Sequence, residues 1–126
     1  MYSAAPTTFA EMIAPVPGNI KTTAQQLRSI INQTLPMLTE TVSGGLKVAN
    51  ALYSFETENQ VVCGLQVNQE NVKLFIHQFS AVDTADFKLQ GSGKHVRHIK
   101  FSDVESLNIE LISRLLKNVH AACGYA

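Results

Sequence analysis

The middle of the chain alternates apolar and polar residues one by one. Val61, Cys63, Leu65 and Val67 alternate within Gln60 to Asn68, and Val72, Leu74 and Ile76 alternate with Lys73, Phe75 and His77. A period of two is the signature of a strand with one buried face. Ala51-Leu52-Tyr53-Ser54-Phe55 reads as a further strand before them. The links, Glu56 to Asn59 and Gln69 to Asn71, are too short for a parallel crossover. They therefore join the strands as an antiparallel meander, with one apolar face for helices to cover.

Helical periodicity flanks this region. Thr8-Phe9-Ala10-Glu11 has the form of a capping box, which starts a short helix running to about Ala14. Pro15-Val16-Pro17-Gly18 stops it. Asn19 suits the N-cap of a second helix, with Ile20, Ala24, Leu27, Ile31 and Leu35 at helical spacing and Pro36 at its end. Lys21, Gln25, Gln26, Arg28 and Asn32 fall on its outward face. Leu38 to Val42 is β-prone, Gly44-Gly45 marks a turn, and Val96 to Phe101 is the last expected strand. Ser102-Asp103-Val104-Glu105 reads as a second capping box. It opens a long helix that buries Val104, Leu107, Leu111, Leu115 and Val119, flanked by Ile112 and Leu116 and stopped by Gly124. The expected class is α+β: an antiparallel meander packed on N-terminal helices and a long C-terminal helix. It forms one domain over 1–126, with 1–7 as a loose tail.

Ten basic residues balance ten acidic ones, so the excess of cation that drives non-specific nucleic-acid binding is missing. No apolar run approaches the roughly 20 residues that span a bilayer. Met1 to Pro6 carries neither a basic region nor an apolar stretch of the secretory kind, so the expected compartment is the cytoplasm. Cys63 and Cys123 are far apart in sequence and read as two thiols in a reducing environment.

The concentrated positive charge lies in Lys94-His95-Val96-Arg97-His98-Ile99-Lys100, behind the turn Gly91-Ser92-Gly93. A glycine turn lets backbone N–H groups converge on an oxyanion, and Lys94 adds charge. The spacing is not that of a Walker loop. Strand alternation puts His95, Arg97, Ile99 and Phe101 on one face and Val96, His98 and Lys100 on the other. Arg97, on the apolar face, needs a partner: a carboxylate, a helix C-terminal carbonyl, or an anionic ligand held in its fork. Gly91, Ser92, Gly93, Lys94, Arg97 and His98 are thus the candidate anion or small-ligand residues. Tyr53, Phe55, Phe75 and Phe79 fill the core or leave an apolar patch for a partner, and the exposure of Phe75 decides between these. Monomer and homodimer are both compatible with the sequence, the dimer through a sheet edge or a helix face. Asp83 and Asp86 are the only close i, i+3 carboxylate pair in a loop and the candidate metal ligands, beside the alternative of simple turn chemistry. No hydroxyl–histidine–carboxylate signature stands out, so a non-enzymatic role is expected.

Leu89-Gln90-Gly91-Ser92-Gly93-Lys94 together with Arg97-His98-Ile99-Lys100-Phe101 resembles the YdhG-like family of small bacterial domains. Phe9 to Ala14, Leu27-Arg28, Val48 to Tyr53 and Val72 to Ile76 extend the resemblance over roughly Thr8 to Ala122. Lys47-Val48-Ala49-Asn50-Ala51 stands where that family commonly carries a Trp-Gly-x-Pro-like stretch. The resemblance implies helices on an antiparallel sheet and, from members described as frataxin-like iron chaperones, an intracellular iron-binding role. Iron is the one cofactor or cargo it suggests. Frataxin-like proteins hold iron on exposed carboxylates, and the helix from Asn19 to Leu35 has none.

Overall fold

The computed structural model describes residues 1–125. Two helices, α1 (Phe9–Ile13) and α2 (Gly18–Thr34), precede five strands: β1 (Thr39–Gly44), β2 (Ala49–Ser54), β3 (Val61–Val67), β4 (Val72–His77) and β5 (Val96–Phe101). A third helix, α3 (Ile109–Cys123), follows. The strands form one sheet in chain order, every neighbouring pair antiparallel. This is the α+β meander that the alternation implies.

One sheet face is the core. Ala51, Tyr53, Cys63, Leu65, Val72, Leu74, Ile76, Ile99 and Phe101 are buried there. Helices α2 and α3 pack on each other and across β3 and β4, while α1 lies against β2. Helix α2 contributes Ile20, Ala24, Leu27, Ile30 and Ile31, and α3 contributes Ile112, Leu115, Leu116 and Val119. Both stripes follow the i, i+3, i+4 spacing of a helix with one apolar face. The buried Thr23 hydroxyl is satisfied by donating to the Asn19 carbonyl at 2.7 Å. In β3 a bulge makes Val62 an extra residue between the Tyr53–Cys63 and Ser54–Val61 pairs, so that Val62 and Cys63 are both buried.

Helix starts differ from the sequence reading in two places. The Thr8–Glu11 capping box forms as expected. Helix α2, however, begins at Gly18 with Pro17 as its N-cap, and the Asn19 amide instead donates to the Ser102 carbonyl at 3.3 Å. The Ser102–Glu105 box does not open the last helix. The Asp103 carboxylate accepts from the Ser106 N–H at 2.8 Å and the Ser106 hydroxyl donates back to the Asp103 carbonyl at 2.7 Å, closing one 3₁₀ turn, Val104–Ser106. Asn108 then caps α3 by accepting from the Leu111 N–H. The buried stripe of α3 consequently turns toward Ile112 and Leu116, leaving Val104, Leu107 and Leu111 half-buried. Gly124 ends α3 in the left-handed conformation, φ 75°. The first residues are tied to the domain: the Tyr2 N–H donates to the Leu46 carbonyl, its phenol to the Met12 carbonyl, and Pro6 is buried.

Arg28 stays partly exposed on the outward side of α2, but it is not the unpartnered surface residue that the helical wheel suggests. Its guanidinium forks onto Glu40 of β1 through two bonds of 2.8 Å and stacks over the Phe9 ring at 4.5 Å. The Tyr53 hydroxyl of β2 donates to the same carboxylate at 2.6 Å. Burial, followed by that carboxylate, pushes the Tyr53 phenol far up, so it remains a donor. Replacing Glu40 by alanine strands the buried phenol and frees the guanidinium. Since the Arg28 side chain is 42% exposed, water recovers part of the loss. Glu40→Ala is expected to destabilise the fold by about 2 kcal/mol and Tyr53→Phe by about 1 kcal/mol in urea unfolding. Equal melts for Glu40→Ala and the parent would remove this contact from the fold's stability.

Candidate functional site on the open face of the sheet

The face turned away from the helices is ordered by strand register. Thr41, Leu52, Gly64, Phe75 and His98 face one another across all five strands. Beside that row runs a second: Ser43, Asn50, Gln66, Lys73 and Lys100. Asn50, Leu52, Gly64, Leu65, Gln66, Phe75, His77 and Val96 line a shallow depression of about 230 Å³. Gly64 forms its floor: a Cβ there would stand 3.1 Å from the Ala51 carbonyl oxygen and 3.2 Å from Leu52 Cδ2. Phe75 is half-buried on this face and meets the His98 ring at 5.1 Å. The other aromatics lie elsewhere: Tyr53 is buried in the core, Phe55 stands against His120 and Tyr125, and Phe79 packs on Arg97.

Lys73 and Lys100 are directly opposed on β4 and β5, an arrangement that is repulsive for like charges. Among the described residues the only ion pair is Arg28–Glu40, so neither lysine is neutralised by one. Glu70, in the β3–β4 turn, lines a neighbouring hollow with both of them. His98 sits beside this pair. Burial, then the charges of Lys73 and Lys100, hold its imidazole below the ordinary histidine value. Its Nε2 is buried and meets no hydrogen-bond partner among the described residues. His77, farther along the depression, is lowered by burial alone.

The glycine turn reaches this face from the side. Gln90 and His98 exchange two backbone hydrogen bonds, of 2.8 and 3.0 Å, and Gly91 adopts φ 108° against the His98 ring. A Cβ on Gly93 would lie 2.6 Å from the Val96 carbonyl oxygen, so that position admits only glycine. Gly91, Ser92, Gly93 and Lys94 are exposed.

The structure divides the candidate anion residues. His98 and the glycine turn meet on the open face, and Lys100 stands beside them. Arg97 points to the opposite side, as the alternation implies. Its partner is neither a carboxylate nor a helix end: Nε donates to the Gly93 carbonyl at 3.1 Å, and the guanidinium stacks over Phe79 at 4.5 Å. Arg97 thus holds the glycine turn in place.

Asp83 and Asp86 line a small cleft with Arg114 and Asn118 on the α3 side. Asp83 accepts from the Ala85 N–H at 3.0 Å, the turn chemistry of an Asx residue. A guanidinium in the same cleft competes with any cation for these carboxylates. Among the described residues no group of three or more His, Cys, Asp or Glu side chains is placed to hold a metal ion. Hard cations take six or more oxygens, so this pair does not by itself fit a resident metal. Cys63 is fully buried and Cys123 half-buried, and both are free. Burial pushes both thiols up, away from the thiolate that a nucleophile requires.

Sequence reasoning located His98, Lys94 and the turn but passed over Lys73, Gly64 and Leu52. Register joins these to the site, and register depends on where each hairpin turns. Among the described residues no helix is long and apolar enough to cross a membrane. No protein-family model, curated protein or solved structure matches the chain.

Two outcomes test this geometry. Arg97→Ala is expected to destabilise the domain, by about 1 kcal/mol from the lost stacking and hydrogen bond, measured in urea. The depressed histidines set the sign of the pH dependence. The unfolded chain takes up protons near the ordinary value of 6.5, before folded His77 and His98 do. Their contribution is therefore complete above that pH and is lost as pH falls through their lower folded values. Melting temperature should drop on acidification below 6.5, and the His77→Gln/His98→Gln variant should show a shallower drop.

Proposed function

We propose that the domain is a non-enzymatic binding module whose open sheet face takes a small anionic ligand with a flat apolar part. The observation that carries this reading is the opposed Lys73–Lys100 pair beside an apolar floor of Gly64, Leu52 and Phe75. Two like charges held together cost free energy in the free protein, and a carboxylate or phosphate between them relieves it. An apolar ring or chain on Gly64 displaces water from Leu52 and Phe75. His98 adjoins the lysines, and the Gly91–Lys94 turn closes the same side. The Asn50–Gln66 amide pair, bonded at 2.9 Å, offers fixed polar groups next to Lys73.

The iron-binding role that the YdhG-like resemblance implies rests on other residues, Asp83 and Asp86. The arrangement around them, with Arg114 in the same cleft, favours it less than the lysine pair favours an anion.

Titration with phenyl phosphate, benzoate and inorganic phosphate, followed by calorimetry and amide shifts, tests the proposal. Phenyl phosphate should bind more tightly than inorganic phosphate, with shifts at Gly64, Phe75 and His98. Lys73→Gln and Lys100→Gln should each weaken it by about tenfold, the loss of one charge-assisted contact. Gly64→Val should abolish the advantage of the phenyl group. Binding indifferent to both lysines would overturn the reading. Saturable ferrous iron binding lost in Asp83→Asn/Asp86→Asn, with no response to the anions, would replace it with the iron-binding role.

A further inference from the structure

Two hollows adjoin on the open face. The first is the depression of about 230 Å³ over Gly64, between Leu52 and Phe75, with Asn50 and Gln66 along one side. The second, of about 400 Å³, is lined by Lys73, Lys100 and the β3–β4 turn. Gln66 of the first is the strand partner of Lys73 of the second, so no residue of the row stands between them. The first hollow carries no fixed charge at its floor. The second is cationic apart from Glu70, which is exposed and free to turn to solvent.

Gln66 Nε2 donates to Asn50 Oδ1 at 2.9 Å. That bond leaves Asn50 Nδ2 and Gln66 Oε1 without a partner among the described residues, and both remain within reach of solvent. The pair thus presents a donor and an acceptor side by side, held in place because each amide anchors the other. A plain aromatic ring on the Gly64 floor has nothing to give them, and shielding them from water unanswered is costly. A ring with a donor and an acceptor on its edge meets both.

Length adds a constraint. Asn50, Gln66, Lys73 and Lys100 are consecutive in one row across β2, β3, β4 and β5. Strands lie about 4.8 Å apart, so the middle of the amide pair and the middle of the lysine pair are about 10 Å apart. Phenyl phosphate and benzoate hold their charge close against the ring and do not span that row. In a nucleoside monophosphate a sugar separates the phosphate from the base, and the edge of the base carries both donor and acceptor.

Resting on the reading of this face as an anion site, we infer that its ligand is a single nucleotide, a nucleoside 5′-monophosphate. The base lies flat on Gly64 between Leu52 and Phe75. Its edge meets Asn50 Nδ2 and Gln66 Oε1, and the phosphate sits between Lys73 and Lys100. Sugar phosphates lack the flat apolar face, and short aromatic acids lack the length. Ten basic residues against ten acidic ones supply no cationic track for a longer strand, so the occupant is one nucleotide rather than a nucleic acid.

Calorimetric titration of the full chain with AMP, CMP, GMP and UMP, beside phenyl phosphate, tests it. At least one nucleotide should bind about tenfold more tightly than phenyl phosphate, the gain from one well-placed donor–acceptor pair. Gln66→Met and Asn50→Ala should each remove that margin and leave phenyl phosphate binding unchanged, a split that a general loss of fold does not produce. Hexanucleotides should bind no more tightly than the single nucleotide. Nucleotides no tighter than phenyl phosphate, or a margin that survives both amide variants, overturn the inference and leave the anion site standing. Affinity that climbs with oligonucleotide length overturns it in favour of a single strand. Failure of phenyl phosphate and nucleotides alike removes the anion site, and the inference with it.

Discussion

Glu40 is the point at which the helical layer and the sheet are fastened together. Its carboxylate receives two guanidinium bonds from α2 and one phenolic bond from β2, while its own backbone belongs to β1. Most of the remaining helix–sheet contact is apolar, with single hydrogen bonds from Asn19 to the Ser102 carbonyl and from Gln69 to the Pro15 carbonyl at its margins, and apolar contact sets no direction. A forked arginine–carboxylate pair does, because both bonds lose their geometry together. The contact therefore fixes where α2 crosses the strands, and with it which residues of β1 face inward. Phe9, under the Arg28 guanidinium, draws α1 into the same cluster. One acidic side chain thus sets the relation of four elements, and the remaining burial adds stability around it.

The sequence expresses the elements better than their relations. Alternation in Cys63 to Val67 and Val72 to His77 is strong because these central strands have one face wholly buried, while at Val61 the bulge breaks it and Val62 is buried in its place. Strand β1 is weaker in sequence because an edge strand with a single apolar residue, Val42, carries almost no period. The long last helix is where its apolar spacing implies, but it starts later than the Ser102–Glu105 signal implies, for a physical reason. Asp103 and Asn108 both satisfy backbone N–H groups at the start of a turn, and a cap signal does not tell a 3₁₀ turn from a long helix. A helical wheel gives Arg28 no partner, because Glu40 is twelve residues away, across a chain reversal that the wheel does not represent.

The candidate site shows the same division. His98 and the glycine turn are contiguous in sequence and were legible as a cationic segment. Lys73 and Gly64 are not contiguous with them and enter only through pairing, β3 to β4 and β4 to β5. Alternation separates Arg97 from His98, because neighbouring residues of a strand face opposite sides. The Lys73–Lys100 pairing depends on where the long β4–β5 connection returns to the sheet, and that return has no period of its own in the sequence. The partners of Arg97 were likewise not derivable. A backbone carbonyl of an irregular turn and the edge of a 3₁₀ segment have no pattern of their own.

The two faces of the sheet carry opposite solutions to charge. On the inner side charge is permitted only when fully partnered, as with Glu40, or when stacked and tethered, as with Arg97. On the outer side Lys73 and Lys100 are left facing each other, and burial and their charges disfavour a proton on His98 beside them. Nothing in the packing requires that arrangement, because serine or threonine at either position would serve an exposed strand equally well. Three donors meet the inward carboxylate of Glu40, whereas two cations are left opposed on the open face, so the unsatisfied electrostatics among the described residues lie on the solvent side. The glycine turn adds to this side, because Gly91 and Gly93 bring the chain back over His98, and Arg97 ties that return from behind. The inner face accounts for why the domain folds, and the outer face concentrates the features that folding leaves unexplained.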